Sequence, residues 1–151
     1  MTLEETGAPD PGLYSNVLGS DLSLFIVYPD TNFYEVIKPQ FDTSGHAFLL
    51  HAHKMIVVDG SLISEEWFTK EHMLVIAAHE LAHYRAEHAV CDADDPADVE
   101  READWLGSMI LKEHGLINAH DLHNEEYQNR YGSTVQADDE LFRIKLGKLI
   151  F

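Results

Sequence analysis

The 151-residue chain has a single cysteine, Cys91, so no disulfide can close within it. A lone thiol fits a reducing compartment, and an ordinary unpaired thiol is its default reading. The sequence also lacks any stretch approaching the ~18 consecutive apolar residues of a membrane span. Its first residues carry no basic region followed by an apolar run and a small-residue cleavage site. The expectation is therefore a cytoplasmic protein that does not enter a membrane. Positive charge is scarce: 10 Lys and Arg stand against 27 Asp and Glu, for a formal net charge of −17. Such a surface repels nucleic-acid phosphates and anionic lipid, which argues against both as partners. It favours solubility and would tolerate a basic peptide. With 45% hydrophobic and 25% charged residues the composition is that of a globular protein, and the length suits one domain over 1–151. No internal repeat is visible.

What the chain does have is His79-Glu80-Leu81-Ala82-His83. On a helix, positions four apart are separated by only ~40° around the axis. His79 and His83 can therefore aim two imidazole nitrogens at one metal ion, Zn2+ being the expected one. Glu80, roughly 100° round from His79, can reach a metal-bound water without ligating. Zinc lowers the pKa of such a water towards ~7, so a carboxylate beside it can act as a general base.

A hydrolytic zinc usually takes three protein ligands. The stretch from Asp95 to Gly107 reads as the start of a second helix, with Asp95 as N-cap, Pro96 in the first helical position and Asp98 in the first turn. Val99, Ala103, Leu106 and Ile110 recur at helical spacing, and Gly115 is a plausible stop. Glu100 and Asp104, four apart, share a face flanked by the small residues Ala103 and Gly107. Close helix approach there would bring Glu100 to the metal and let Asp104 accept the far N–H of His79, fixing its tautomer. Glu102 competes as a ligand but points about 160° away from Asp104, so Glu100 is preferred.

These residues resemble the gluzincin metallopeptidases, which carry HExxH with a downstream ExxxD. The order His46-Ala47-Phe48, then Met55 to Ile63, then Val75 to Ala78 before the motif, then Glu102-Ala103-Asp104-Trp105-Leu106-Gly107, is similar to the core of the HtpX and CaaX-prenyl-protease group. His88 falls where that group often has a histidine. The likeness covers roughly residues 46–112, the expected catalytic core. It implies zinc ligands at His79, His83 and Glu100, a general base at Glu80, an orienting role for Asp104, and a substrate-binding strand at His46, Ala47 and Phe48. The sixteen-residue spacing between His83 and Glu100 and the lack of membrane spans look like the minimal soluble gluzincins, the minigluzincins. The ImmA/IrrE regulator proteases are also similar, though they usually have Asn where Asp104 stands.

Along the chain, residues 1–20 read as a loose leader. Strands are expected at Leu22–Tyr28, at Ala47–Leu50 and at Met55–Val58, with another extended piece from Phe33 to Ile37. Residues about 70–89 make the metal helix, its Leu74, Ala77, Leu81 and Tyr84 turned to the core. Further helices are expected from Asn118 to about Arg130 and from about Asp138 to Leu149. The fold class is α+β and zincin-like: a small, curved mixed sheet carrying an active-site helix and a glutamate helix, with more helices towards the C-terminus. His51 and His53 could share a face of a strand, but no acidic or cysteine partner follows at useful spacing. The expected function is zinc-dependent endopeptidase cleavage of a peptide or protein substrate. His120, His123, Tyr127, Arg130 and Tyr131 are candidates to stabilise the oxyanion. The alternative is a latent or non-catalytic zinc-stabilised binding module, with the segment 133–151 covering an acidic groove.

Overall fold

The computed structural model describes residues 13–44, 46–86, 96–140 and 142–143. Among these described residues, four α-helices and a small mixed sheet make it an α+β protein. The strands are β1 (Leu13–Tyr14), β2 (Ser23–Val27), β3 (Ala47–Leu50) and β4 (Met55–Asp59). The helices are α1 (Asn32–Ser44), α2 (Lys70–Ala86), α3 (Pro96–Glu113) and α4 (Ile117–Tyr131). Two compact units divide between Ala77 and Ala78, within α2.

The first unit is built on the sheet, whose order is β1-β2-β4-β3. β2 and β4 run parallel, with Phe25 beside Val57, while β1 and β3 flank them antiparallel. β4 is central and reads Met-Ile-Val-Val-Asp; Ile56, Val57 and Val58 are all buried, as an uninterrupted β-branched run predicts for a strand covered on both faces. On one face Val27, Val57 and Phe48 pack with Tyr34 and Phe41 of α1. The ring pairs Tyr34–Phe41 and Phe41–Phe48, with centroids 6.0 and 5.2 Å apart, tie helix to sheet. Gly60, just after β4, passes so close to β2 that a Cβ there would lie 2.6 Å from the Val27 carbonyl oxygen.

Two expectations fail here. The extended piece at Phe33–Ile37 is the first half of α1. Its aromatic and β-branched residues favour strand, yet Tyr34, Ile37 and Phe41 sit at helical spacing and turn inward, leaving Phe33 and Val36 exposed. Thr31 opens the helix by accepting the Tyr34 N–H on its hydroxyl at 3.3 Å. The leader expected over 1–20 is not loose from residue 13 onward: Leu13–Tyr14 pairs with β2, and Tyr14, Val17 and Leu18 are fully buried. A few apolar residues among turn formers were enough to anchor it.

The strands at Ala47–Leu50 and Met55–Val58 and the helix near Asn118–Arg130 form as expected. So does the helix starting at Pro96, which ends before Gly115 with that glycine at φ +69°. The metal helix forms over Lys70–Ala86; residues 87–89, His88, Cys91 and Asp95 lie outside the described residues. The proposed C-terminal helix is described only as far as Arg143. Among the described residues no helix is long and apolar enough to cross a membrane.

Candidate metal centre

The second unit holds the motif residues. His79 and His83, four apart on α2, place their rings edge to face with centroids 4.5 Å apart and their Nε2 atoms 3.0 Å apart. From α3, the Glu100 carboxylate lies between them: Oε2 is 3.1 Å from His79 Nε2, and Oε1 is 3.2 Å from His83 Nε2. These three residues form a group that could hold a metal ion. The edges bear on fit. A tetrahedral ion with ligands at about 2.0–2.1 Å needs its ligand atoms roughly 3.3 Å apart. Two imidazoles and a carboxylate already spaced this way need little movement to close on a cation. The competitor Glu102 is buried on α3 and stands outside the group.

Close helix packing permits the approach. A Cβ built on Gly107 would sit 3.4 Å from the Ala78 carbonyl carbon and 3.5 Å from the His79 nitrogen, and Ala103 is fully buried. The α3 backbone thus lies against the α2 backbone at the root of His79. Small residues at these two positions are the feature read from the sequence, and they do the spacing here.

Asp104 takes the place expected for it, with Oδ1 accepting from His79 Nδ1 at 2.7 Å. That bond keeps the proton on Nδ1 and leaves Nε2 to face Glu100 and His83. Burial alone would raise the pKa of Asp104, but hydrogen bonds from His79 and Tyr131 outweigh it and hold the carboxyl below its ordinary range. Burial likewise disfavours the charged form of His79, yet Asp104 and Glu100 push its pKa up to about 10 in the metal-free site. Glu100 is held well below the usual carboxylate range by hydrogen bonds from His79 and His83. Without metal, the cluster is an imidazolium clamped between two carboxylates. A divalent cation would replace its proton.

Glu80 is buried next to His79 in the chain, and its charge contributes to holding the proton on that imidazole. It is thus within electrostatic reach of the ligand group without belonging to it.

Each of the five candidate oxyanion donors on α4 has a hydrogen-bond partner within the protein. Arg130 donates to Asp104 Oδ2 at 2.9 Å, and the Tyr131 hydroxyl donates to the same oxygen. His123 is buried, and its Nε2 donates to the Asp104 backbone carbonyl at 2.6 Å. Burial lowers its pKa, which keeps the ring neutral. Tyr127 donates to Asp138, and His120 lies beside Asn124. Asp138, read from the sequence only as the approximate start of a helix, has a bonding role that the sequence did not show. It accepts from Arg101 Nε and Nη2 at 3.0 and 2.7 Å and from Ser133 at 3.1 Å. It thereby ties the turn after α4 back to α3. No local motif announces that tie, because its partners are 37 and 11 residues away in sequence.

In the first unit, β3 is an edge strand. The Asp59 N–H bonds to the His46 carbonyl at 2.9 Å, so His46 directs its backbone oxygen towards β4. Alternation along an antiparallel pair then turns the backbone groups of Phe48 inward too and those of Ala47 and Leu49 to the open edge. The side chains of Ala47 and Phe48 are buried, and His46 is exposed.

Compared with protein-family models, curated proteins and solved structures, the chain gives no match.

Proposed function

We propose that this protein is a zinc-dependent endopeptidase of zincin-like fold, with His79, His83 and Glu100 as ligands and Glu80 as general base. The observation that carries the reading is the convergence of His79 and His83 from α2 with Glu100 from α3, ligand atoms within 4.8 Å of one another, beside a Glu80 that follows His79 on the same helix. A structural zinc site is closed by four protein ligands and has no use for a base; three ligands with a carboxylate alongside suit hydrolysis. Zinc, when bound there, supplies Lewis acidity, activating a water and polarising the scissile carbonyl.

The remaining work falls to the chain. Asp104 holds the His79 ring through Nδ1. Glu80 accepts the proton that the attacking water gives up on a carboxylate oxygen, and delivers it to the departing amine nitrogen. An extended peptide is the substrate class this reading implies. β3 is an edge strand among the described residues, and of the expected His46, Ala47 and Phe48 only Ala47 turns to that edge its backbone groups, of the kind that bind peptides by strand addition.

The test is digestion of a mixed peptide library by the full chain, with and without chelator, alongside Glu80→Gln. The reading expects chelator-sensitive cleavage. It also expects Glu80→Gln to keep its metal and lose about 10²–10⁴-fold in rate, the usual share of a general base. Equal cleavage by parent and variant would remove Glu80 as the base. Metal bound stoichiometrically without any cleavage would reject the peptidase.

A further inference from the structure

We propose that Arg130 and Tyr131, side by side at the end of α4, are positioning residues that lock the Asp104 carboxylate so that His79 presents Nε2 to the metal. The inference rests on the metal-site reading above and extends it to a helix that carries none of the ligands. Asp104 has two oxygens with separate duties: Oδ1 receives His79 Nδ1–H, and Oδ2 receives both Arg130 Nη1 and the Tyr131 hydroxyl. A carboxylate held on one oxygen alone can swing about its Cβ–Cγ bond. Held on both, it cannot turn without giving up a charge-assisted hydrogen bond. The His79 ring, bonded to it, inherits that constraint.

The two donors differ in kind. Arg130 is largely exposed, with a side-chain exposure of 57%, while the carboxyl it meets is 4% exposed. It therefore brings charge from the surface to a buried acid. A divalent cation together with Arg130 balances the three carboxylates of Glu80, Glu100 and Asp104. Tyr131 brings rigidity: its ring contacts Tyr127 at 4.7 Å, and the Arg101 guanidinium lies 5.4 Å from its centroid. Arg101 is in turn fixed by two hydrogen bonds to Asp138. Burial and the neighbouring Asp104 charge push the Tyr131 pKa upward, so the hydroxyl stays protonated and remains a donor. The clamp thus has a fixed backing, which a chance surface contact would lack.

The experiment is Zn2+ affinity of the full chain, by competition with a chromophoric chelator, for the parent, Tyr131→Phe, Arg130→Met, Arg130→Lys, Asp104→Ala and the double variant Tyr131→Phe with Asp104→Ala. Removing the support of a ligand's hydrogen-bond partner weakens metal binding by about 10–100-fold. Tyr131→Phe and Arg130→Met are each expected near the lower end of that range, with Arg130→Lys recovering part of the loss. In the Asp104→Ala background Tyr131→Phe is expected to add no further loss, because its effect runs through that carboxylate. Tyr34→Phe removes a hydroxyl that bonds the buried Asp59 of the first unit instead, and is expected to bind zinc like the parent.

Four results overturn the proposal: unchanged affinity in both single variants; an equal loss in Tyr34→Phe; full additivity with Asp104→Ala; or parent-like affinity with lost peptide turnover, which would put the Tyr131 hydroxyl on the substrate. If Tyr131→Phe does not fold, the exposed Arg130 pair decides by itself. A parent chain that binds no zinc rejects the metal-site reading, and this inference with it.

Discussion

In the sheet unit the described interior is apolar, with the cluster Val27, Tyr34, Phe41, Phe48 and Val57 on one face of the sheet and Asp59 as its buried carboxylate. From Ala78 onward the chain has an apolar core too, with Leu81, Trp105, Leu106 and Ile110, but adds buried Glu80, Glu102, Asp104, Ser108, His123 and Asp138. Asp59 has a structural duty, accepting the Ser61 N–H at 2.9 Å and the Tyr34 hydroxyl at 3.3 Å to close the turn after β4. Asp104 and Asp138 of the helical unit are joined to His79, Arg101, Tyr127, Arg130 and Tyr131 across three helices. Burying polar groups costs stability unless each finds a partner, so a cluster of this size marks where charge is used. The first unit is held by packing, and the second by packing together with a polar network. The two should therefore answer differently to the same kind of damage.

The largest contrast is expected from a matched pair of truncations. Phe41→Ala empties the centre of the aromatic cluster and should lower stability by about 3–5 kcal/mol, with the metal affinity of the folded protein unchanged. Asp104→Ala should cost about 3 kcal/mol in metal-free protein, because a buried cation loses its partner, and should also weaken zinc binding. Denaturant melts with and without zinc, paired with the chelator competition, separate the two. If Phe41→Ala weakened the metal site as much as Asp104→Ala, the division into a packed and a polar unit would fail.

Changes in pH should sharpen the contrast further, because the polar unit titrates. In the metal-free protein Glu100 and Asp104 are held below their ordinary pKa values, so their contribution is present above about pH 4–5 and lost as pH falls. His79 is raised to about 10, so its contribution is complete below about 6.5 and lost as pH rises through about 10. The site's own contribution to stability should therefore peak between about pH 5 and 6.5 without metal. Zinc must displace the His79 proton, so its apparent affinity should rise by up to about tenfold per pH unit through the neutral range. A flat affinity between pH 6 and 8 would mean that the proton is not on His79.

The helix carrying His79 and His83, the Pro96 start, Gly115 and the facing of Glu100 with Asp104 were legible in the sequence because each depends on neighbours a few residues away. Helical spacing alone relates His79 to His83 and Glu100 to Asp104. The α1 segment was misread because Phe33, Tyr34, Val36 and Ile37 have side chains that suit strands, while the i, i+3, i+7 pattern of Tyr34, Ile37 and Phe41 extends beyond the five residues considered. The bonds of Arg130 and Tyr131 to Asp104, and of Asp138 to Arg101 and Tyr127, carried no readable signal for a different reason. These partners lie 11 to 37 residues away, and a helix face bearing Arg and Tyr looks the same whether it meets solvent or a buried acid. β-strand membership of Ala47 and Phe48 was legible; which backbone groups remain open depends on hydrogen-bond phase, which only the pairing of His46 with Asp59 reveals.

The smallest predicted effect concerns two glycines, one in each unit. At Gly60 an added methyl would lie 2.6 Å from the Val27 carbonyl oxygen, a backbone atom that cannot swing aside. Gly60→Ala should therefore cost about 1–3 kcal/mol through a forced shift of β2 or the turn. At Gly107 the same methyl meets the Ala78 and His79 backbone at 3.4–3.5 Å, ordinary contact distance. Alanine is also the better helix former by about 1 kcal/mol, so Gly107→Ala should be neutral or slightly stabilising and should keep its zinc affinity. A larger residue has no such room: Gly107→Leu should push α3 from α2 and draw Glu100 away from the histidines. The helix spacing is right if zinc affinity survives the methyl and falls with the isobutyl group. Equal affinity in both variants would show that Gly107 does not set how near Glu100 comes to His79.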